Sequence, residues 1–206
     1  MAISDAAIAS ALAAYLERYP DEAEQLSEPL RLLGEGRDFA SRRSFPMHVT
    51  VGALLVRDDA EVLLIEHLAY GITLQPGGHL EPTDVDLLAA AVRELTEETG
   101  LDPADVVPAS VTPVYIEYGE VPARPEKDEP AHHHLDLGFA FRTAHANVDV
   151  GALQESEVTG AAWYPLATAE RLVGWRIGRA VSAPTRLGCP LRGRPARWPA
   201  DRGSPR

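Results

Sequence analysis

Apolar residues recur at helical spacing in two parts of the chain and run together or alternate in several shorter ones. Ala7, Ile8, Ala11, Leu12, Tyr15 and Leu16 form one stripe within residues 4–18, and residues 22–34 keep the same period. This predicts a helical pair packed on the body of the molecule or on a second copy of it. Leu87, Leu88, Ala91, Val92 and Leu95 form the second stripe. Thr83 or Asp84 can cap that helix, Asp84 and Asp86 suit its positive end, Gly100 fits the position past its last turn, and Pro103 keeps it from resuming. Between the stripes, Met47 to Val56 is rich in β-branched and apolar residues, Asp58 and Asp59 mark a turn, and Val62 to Ile65 returns as a second strand. Val111 to Tyr118 and Leu135 to Arg142 read as further strands on either side of the Pro-rich segment 121–130. Trp163 and Tyr164 end another apolar stretch, and Pro165 to Leu172 opens a short helix. Strands on both sides of one central helix predict an α/β fold with helices over the sheet faces.

The central helix carries the chemistry. Glu94 lies three residues before Glu97 and four before Glu98, so all three carboxylates project from about one turn, as a hard divalent cation requires. Arg93, four residues before Glu97, can pair with that carboxylate and moderate the repulsion among the three. Gly77 and Gly78 precede the helix and allow backbone N–H groups to approach an oxyanion. A solvated acidic helix end is the plain alternative for any one glutamate; three crowded beside a glycine loop favour a metal site.

The segment Gly77 to Gly100, GGHLEPTDVDLLAAAVRELTEETG, resembles the signature of the Nudix hydrolase family. Its second half, from Arg93 to Gly100, matches at every defined position. The first half departs: one extra residue separates Gly78 from Arg93, and Asp84 stands where the family has glutamate, with Glu81 nearby. The resemblance implies an α/β/α sandwich with a mixed, partly curved sheet over about residues 45–170. It also implies Mg²⁺, with Mn²⁺ as a substitute, on Glu94, Glu97 and Glu98, with Arg93 as their orienter and Gly78 as the loop glycine. Glu98, Glu97 and Arg93 are the implied catalytic residues, and Gly77, Gly78 and His134 the substrate-binding ones. The proton of the attacking water falls to Glu98 or to a loop residue such as Glu155 or Glu157. The expected reaction is hydrolysis of a diphosphate bond in a nucleoside diphosphate linked to another group. A nucleotide sensor without turnover is the alternative. An isomerase of the isopentenyl-diphosphate type is less favoured, because it needs an active-site cysteine and Cys189 is poorly placed.

Composition narrows the setting. A chain of 206 residues with 45% hydrophobic and 24% charged residues suits one domain with flanks. The division is a helical extension at 1–44, a catalytic domain at 45–170 and an Arg/Pro/Gly-rich tail at 171–206 that is expected to be disordered. That tail holds nine arginines and one acid, Asp201, a balance of +8; the net charge of −12 therefore leaves −20 on the preceding residues. An acidic body argues against general nucleic-acid binding, which needs clustered Lys and Arg. It permits a small diphosphate substrate, whose charge a cation on the glutamates would meet. The lone Cys189 excludes an intrachain disulfide and a Cys-rich zinc site. No basic leader or membrane-length apolar run is present, so a cytoplasmic protein without membrane contact is expected, with the N-terminal helices as a possible homodimer surface.

Three histidines at 132–134 complete the candidates. In an extended segment His132 and His134 share one face with Asp136, which can orient an imidazole, while His133 points away. Contact with substrate phosphate or base and a plain polar strand edge account for them equally, and direct metal ligation is the less favoured reading. The 121–130 segment is a substrate-recognition lid or simply a long hairpin loop, and Tyr115 and Tyr118 stack on a base or pack in the core.

Overall fold

One buried strand carries most of the sheet. In the computed structural model, which describes residues 3–68, 71–125, 128–145, 148–154, 156 and 158–182, β1 (Met47–Arg57) is buried over all but its last residue. Both faces are covered, which explains an almost unbroken apolar sequence where a half-exposed strand would alternate. Parallel to it lies β7 (His132–Thr143), in register from Met47 opposite His133 to Val56 opposite Arg142. The far edge of each strand is shared by two others. Along β1, β4 (Gly77–His79) pairs with residues 50–52 and β2 (Glu61–His67) with residues 56 and 57. Along β7, β6 (Tyr115–Val121) takes residues 132–138 and β5 (Val106–Pro108) takes residues 141–143. β2 also carries β3 (Ile72–Leu74) and β8 (Val158–Pro165), giving a mixed, open sheet of eight strands.

The pleat sorts the core. Odd-numbered residues of both central strands, among them Val49, Val51, Leu135 and Leu137, join a cluster with Leu87, Ala91 and Leu95 of α3 (Leu87–Thr99), Ile8, Leu12 and Tyr15 of α1 (Asp5–Arg18) and Leu32 and Leu33 of α2 (Ser27–Leu33). Even-numbered residues further along, Leu54, Val56 and Ala140, join a second cluster with Ala169 of α4 (Leu166–Val173) and with Ile177 and Ala180 of α5 (Arg176–Ser182). Helices therefore cover both faces of the sheet, as the α/β/α reading expects. The α1 stripe is consumed by the chain's own core.

Several elements differ in detail from the sequence expectation. The cap of α3 is Asp86, which accepts from the Ala89 N–H at 2.8 Å, and neither Thr83 nor Asp84 fills that position. Asp84 is drawn instead into a turn, where its Oδ2 accepts from the Glu81 N–H at 2.7 Å. Gly100 ends α3 with φ 65°, the left-handed conformation expected of it. In the second N-terminal stretch, helix is confined to a short 3₁₀ turn at Pro20–Glu22 and to α2. Pro29 has no N–H to extend the helical ladder backwards and is tolerated only in a first turn. The strand expected from Val111 starts at Tyr115, since Pro113 cannot donate to a ladder. At the other end, residues 171–182 lie largely in α4 and α5. There Arg179 donates to the Tyr15 hydroxyl at 2.6 Å and to Glu22 at 2.5 Å, joining the last described helix to the first. Residues 183–206, including Cys189, lie outside the described residues. Among the described residues no helix is long and apolar enough to cross a membrane.

Candidate active site

Arg93 is the hub on which the acidic side chains converge. It projects from α3 with its side chain mostly buried, and its Nε and Nη2 donate to the two oxygens of Asp84 at 3.0 and 3.1 Å. Nη1 donates to Glu94 at 3.0 Å and Glu97 at 2.9 Å, and Nη2 also donates to the His79 carbonyl at 2.9 Å. Burial opposes the guanidinium charge, but the Asp84 and Glu94 carboxylates outweigh it and raise its pKa. Removing one partner from a buried pair of this kind costs about 3–5 kcal/mol, because the other charge is left uncompensated. The turn at 81–84 thus brings Asp84 back as a bidentate clamp on Arg93.

The two glycines of β4 bring the strand against the helix. Gly77 donates its N–H to Glu98 Oε2 at 2.9 Å, which fixes a carboxylate that is only 1% exposed. At Gly77 a side chain is excluded by backbone, since a Cβ would lie 2.3 Å from the Val51 carbonyl oxygen. At Gly78 it is excluded by the site, since a Cβ would lie 2.6 Å from Glu94 Cδ. Glu94 is almost as buried as Glu98, whereas Glu97 reaches solvent. Among the described residues the three carboxylates do not close on one point, with Arg93 between Glu94 and Glu97 and with the Glu98 carboxylate held by the Gly77 N–H of β4.

On the other face of β4 stand residues that the sequence did not connect. His79 is opposite Thr50, and His48 is opposite His134 in the parallel register, so these side chains share the even face of the sheet. His48 and His79 approach to 3.1 Å between their Nε2 atoms, and the His134 ring lies 4.6 Å from His48 and 5.3 Å from His79. Burial, then the neighbouring imidazoles, lowers all three pKa values from 6.5, to about 4 for His48 and about 3 for His79 and His134. All are neutral at pH 7. The same face continues into Asp136, whose carboxylate accepts from Thr50 at 3.0 Å and from the Tyr115 hydroxyl at 2.8 Å; burial raises its pKa. Gln75 donates to Tyr115 at 2.7 Å. Tyr115 is therefore a packed, fully bonded side chain, and Tyr118 stacks on His133 with ring centres 4.5 Å apart.

These groups open on a single cleft of about 1110 Å³. Gly77, Gly78, Glu94, Glu97, Glu98 and Arg93 line one side, His79, His134 and Asp136 another, and Arg42, Arg43 and Arg124 supply positive charge. The structure thus brings Gly77, Gly78, Arg93, Glu94, Glu97, Glu98 and His134 to one cavity and adds His79, behind which stands His48, 31 residues away in sequence. Glu155 and Glu157 lie outside the described residues. In the Pro-rich segment, the described residues close through a bridge between Arg124 and Glu129.

Residues 46–182 match the NUDIX domain, about two thirds of the chain and all of the cleft lining except Ile3, Asp38 and residues 40–43. The chain belongs to the Nudix family. It is a hydrolase of phosphoanhydride bonds by that membership. Similar solved structures include a NUDIX-family hydrolase from Clostridium perfringens, 21% identical, covering 66% of this chain and 96% of that one with a TM-score of 0.49. Others are a NUDIX hydrolase from Nitrosomonas europaea, 22% identical over 66% and 86% with a TM-score of 0.44, and a MutT NUDIX hydrolase from Burkholderia pseudomallei, 18% identical over 68% and 98% with a TM-score of 0.46. No curated protein is similar to the chain at a significant level.

Proposed function

We propose that this Nudix chain hydrolyses the diphosphate bond of a nucleoside diphosphate linked to another group, with Mg²⁺ as the cofactor and Mn²⁺ able to replace it. The observation that carries the reading is the placement of Glu94 and Glu98, both buried, against the two glycines of β4 at the edge of a cleft lined by Arg42, Arg43 and Arg124 as well as Arg93. The donor set fits a hard cation. Glu94, Glu97 and Glu98 offer only oxygen, and with Asp84 they outnumber the single guanidinium in their midst by four charges to one. Bound there, the ion would supply Lewis acidity and charge neutralisation for the diphosphate.

The protein's own groups do the rest. Arg93 holds Glu94 and Glu97 in place and is itself held by Asp84, so the carboxylates are oriented before substrate arrives. Arg42, Arg43 and Arg124 draw the phosphates into the cleft, where Gly77, Gly78 and His134 form the wall. Glu98 accepts the proton of the water that attacks phosphorus. The acidic body meets an acidic substrate only at the point where cations gather.

The test is Mg²⁺-dependent release of phosphate or nucleoside monophosphate across nucleoside triphosphates, ADP-ribose, dinucleoside polyphosphates and nucleotide sugars. Glu98→Gln should lower kcat at least about 100-fold on any substrate turned over. Near-wild-type turnover by Glu98→Gln at saturating Mg²⁺ would refute the site. Inactivity of the wild-type protein across the whole panel would refute the reaction.

A further inference from the structure

Three histidines, His48, His79 and His134, share one face of β1, β4 and β7 and, among the described residues, are the group of side chains best arranged to hold a metal. Their candidate ligand atoms all lie within 4.8 Å of one another, and one pair already stands at 3.1 Å. Nitrogens bound tetrahedrally at about 2.0–2.1 Å from zinc are about 3.3 Å apart, so small side-chain rotations close the remaining distance. We propose that His48, His79 and His134 form a second metal site, selective for a borderline divalent cation of the zinc class, separate from the glutamates and with its open coordination position facing the substrate cleft.

Four observations support this. The ligands come from three neighbouring strands whose register fixes them: His48 faces His134 directly, and His79 sits opposite Thr50, two residues along the same face of β1. A rigid sheet provides positioning that a loop would not. His48 is buried, and its Nδ1 has no hydrogen-bond partner among the described residues. A fourth imidazole, His132, lies with its ring 4.7 Å from His48; its Nδ1 donates to the Pro130 carbonyl at 2.7 Å, and its buried Nε2 has no hydrogen-bond partner among the described residues. Phe45 packs edge-on against His48 and His132 and backs the cluster with an apolar surface. Four imidazoles gathered around a buried, partly unsatisfied set of nitrogens are costly without an ion to bind them.

The chemistry also separates the two sites. Imidazole nitrogen suits zinc, cobalt, nickel and copper, whereas an all-carboxylate set suits magnesium and manganese. Nearby Arg42 opposes a cation, but it is paired with Glu129 at 3.3 Å, which reduces its field. Asp136, the carboxylate nearest along the strand, is already engaged by Thr50 and Tyr115 and stays outside the ligand set. His79 and His134 line the cleft, so the fourth ligand is a water or a substrate oxygen entering from it.

The probe is Co²⁺ titrated into the full-length chain after dialysis against chelator, read by the visible absorption of four-coordinate cobalt. One equivalent should produce that band, Zn²⁺ should displace it, and Mg²⁺ should not. His79→Gln and His134→Asn should each weaken binding by at least about 100-fold, since loss of a ligand exceeds the 10–100-fold cost of losing a supporting contact. Glu94→Gln and Glu98→Gln should retain it. Absence of the band at one equivalent, its persistence in both histidine variants, or its loss in the glutamate variants would overturn the proposal. X-ray absorption at the zinc edge of the wild-type protein gives an answer that no folding defect can confuse: scattering from about three imidazoles supports the site, and a shell without imidazole rejects it.

Discussion

Adding one methyl group at Gly78 should damage catalysis far more than stability. The Cβ of Gly78→Ala would lie 2.6 Å from Cδ of Glu94 and 2.6–2.7 Å from its oxygens, which falls about 0.8 Å short of the 3.4 Å at which ordinary contact begins. The obstructing atoms are the end of a flexible side chain, so the backbone of β4 and α3 need not move. Glu94 must retreat instead. Overpacking of this kind costs about 1–3 kcal/mol, and the low end is expected where a carboxylate can swing away with its Arg93 partner. A misplacement of about 1 Å at a reacting constellation costs about 100-fold in rate, or about 2.7 kcal/mol in the barrier. The assay is Mg²⁺-dependent kcat/KM on whichever substrate is turned over, with urea unfolding on the same samples. Gly119→Ala on β6 is the control, because a Cβ there meets nothing within 4 Å; it should leave stability within about 0.5 kcal/mol. Wild-type kcat/KM in a folded Gly78→Ala protein would refute the claim that this glycine seats Glu94.

Three further outcomes follow from the same geometry. Asp84→Asn replaces the bidentate partner of Arg93 with an amide that can present only one acceptor, and it should lower unfolding free energy by about 2–4 kcal/mol and reduce kcat together with it; unchanged urea midpoint and turnover would show that the clamp is idle. Gly138→Ala puts a Cβ 1.8 Å from Cε1 of Tyr115. The ring must leave and take its hydroxyl from Asp136 and Gln75, so a loss above about 3 kcal/mol is expected by urea titration, and a loss below about 1 kcal/mol contradicts the packing described. Burial holds His48 at about 4 against an ordinary 6.5. As pH falls below 6.5 the unfolded chain takes up a proton there and the folded chain does not, so this stabilisation is complete above 6.5 and is lost on descent towards 4, at up to about 1.4 kcal/mol per pH unit. In chelator-treated protein His48→Phe should flatten that part of the stability profile relative to wild type; parallel profiles for the two would argue against a buried neutral His48.

The sequence by itself determined what depends on near neighbours. The 3.6-residue period set α3 and placed Glu94, Glu97 and Glu98 on one ridge, Gly100 closed it in the left-handed conformation, and the apolar runs at 47–56 and 135–142 marked the two central strands. Family membership was legible for the same reason, since the motif from Arg93 to Gly100 is contiguous. Partnerships between distant segments were decided by the tertiary structure. Gly-Gly-His at 77–79 reads as a loop and becomes β4 only because the β1 edge is there to pair with it. Asp84 looks like a helix cap and becomes the clamp of Arg93 because the turn at 81–84 folds back over the helix. Most of all, two histidines on one strand are too few for a metal, which is why the sequence alone disfavours direct ligation by residues 132–134. Parallel pairing of β1 with β7 brings His48 beside His134, antiparallel pairing of β4 brings His79 beside both, and no local period in the chain records either register.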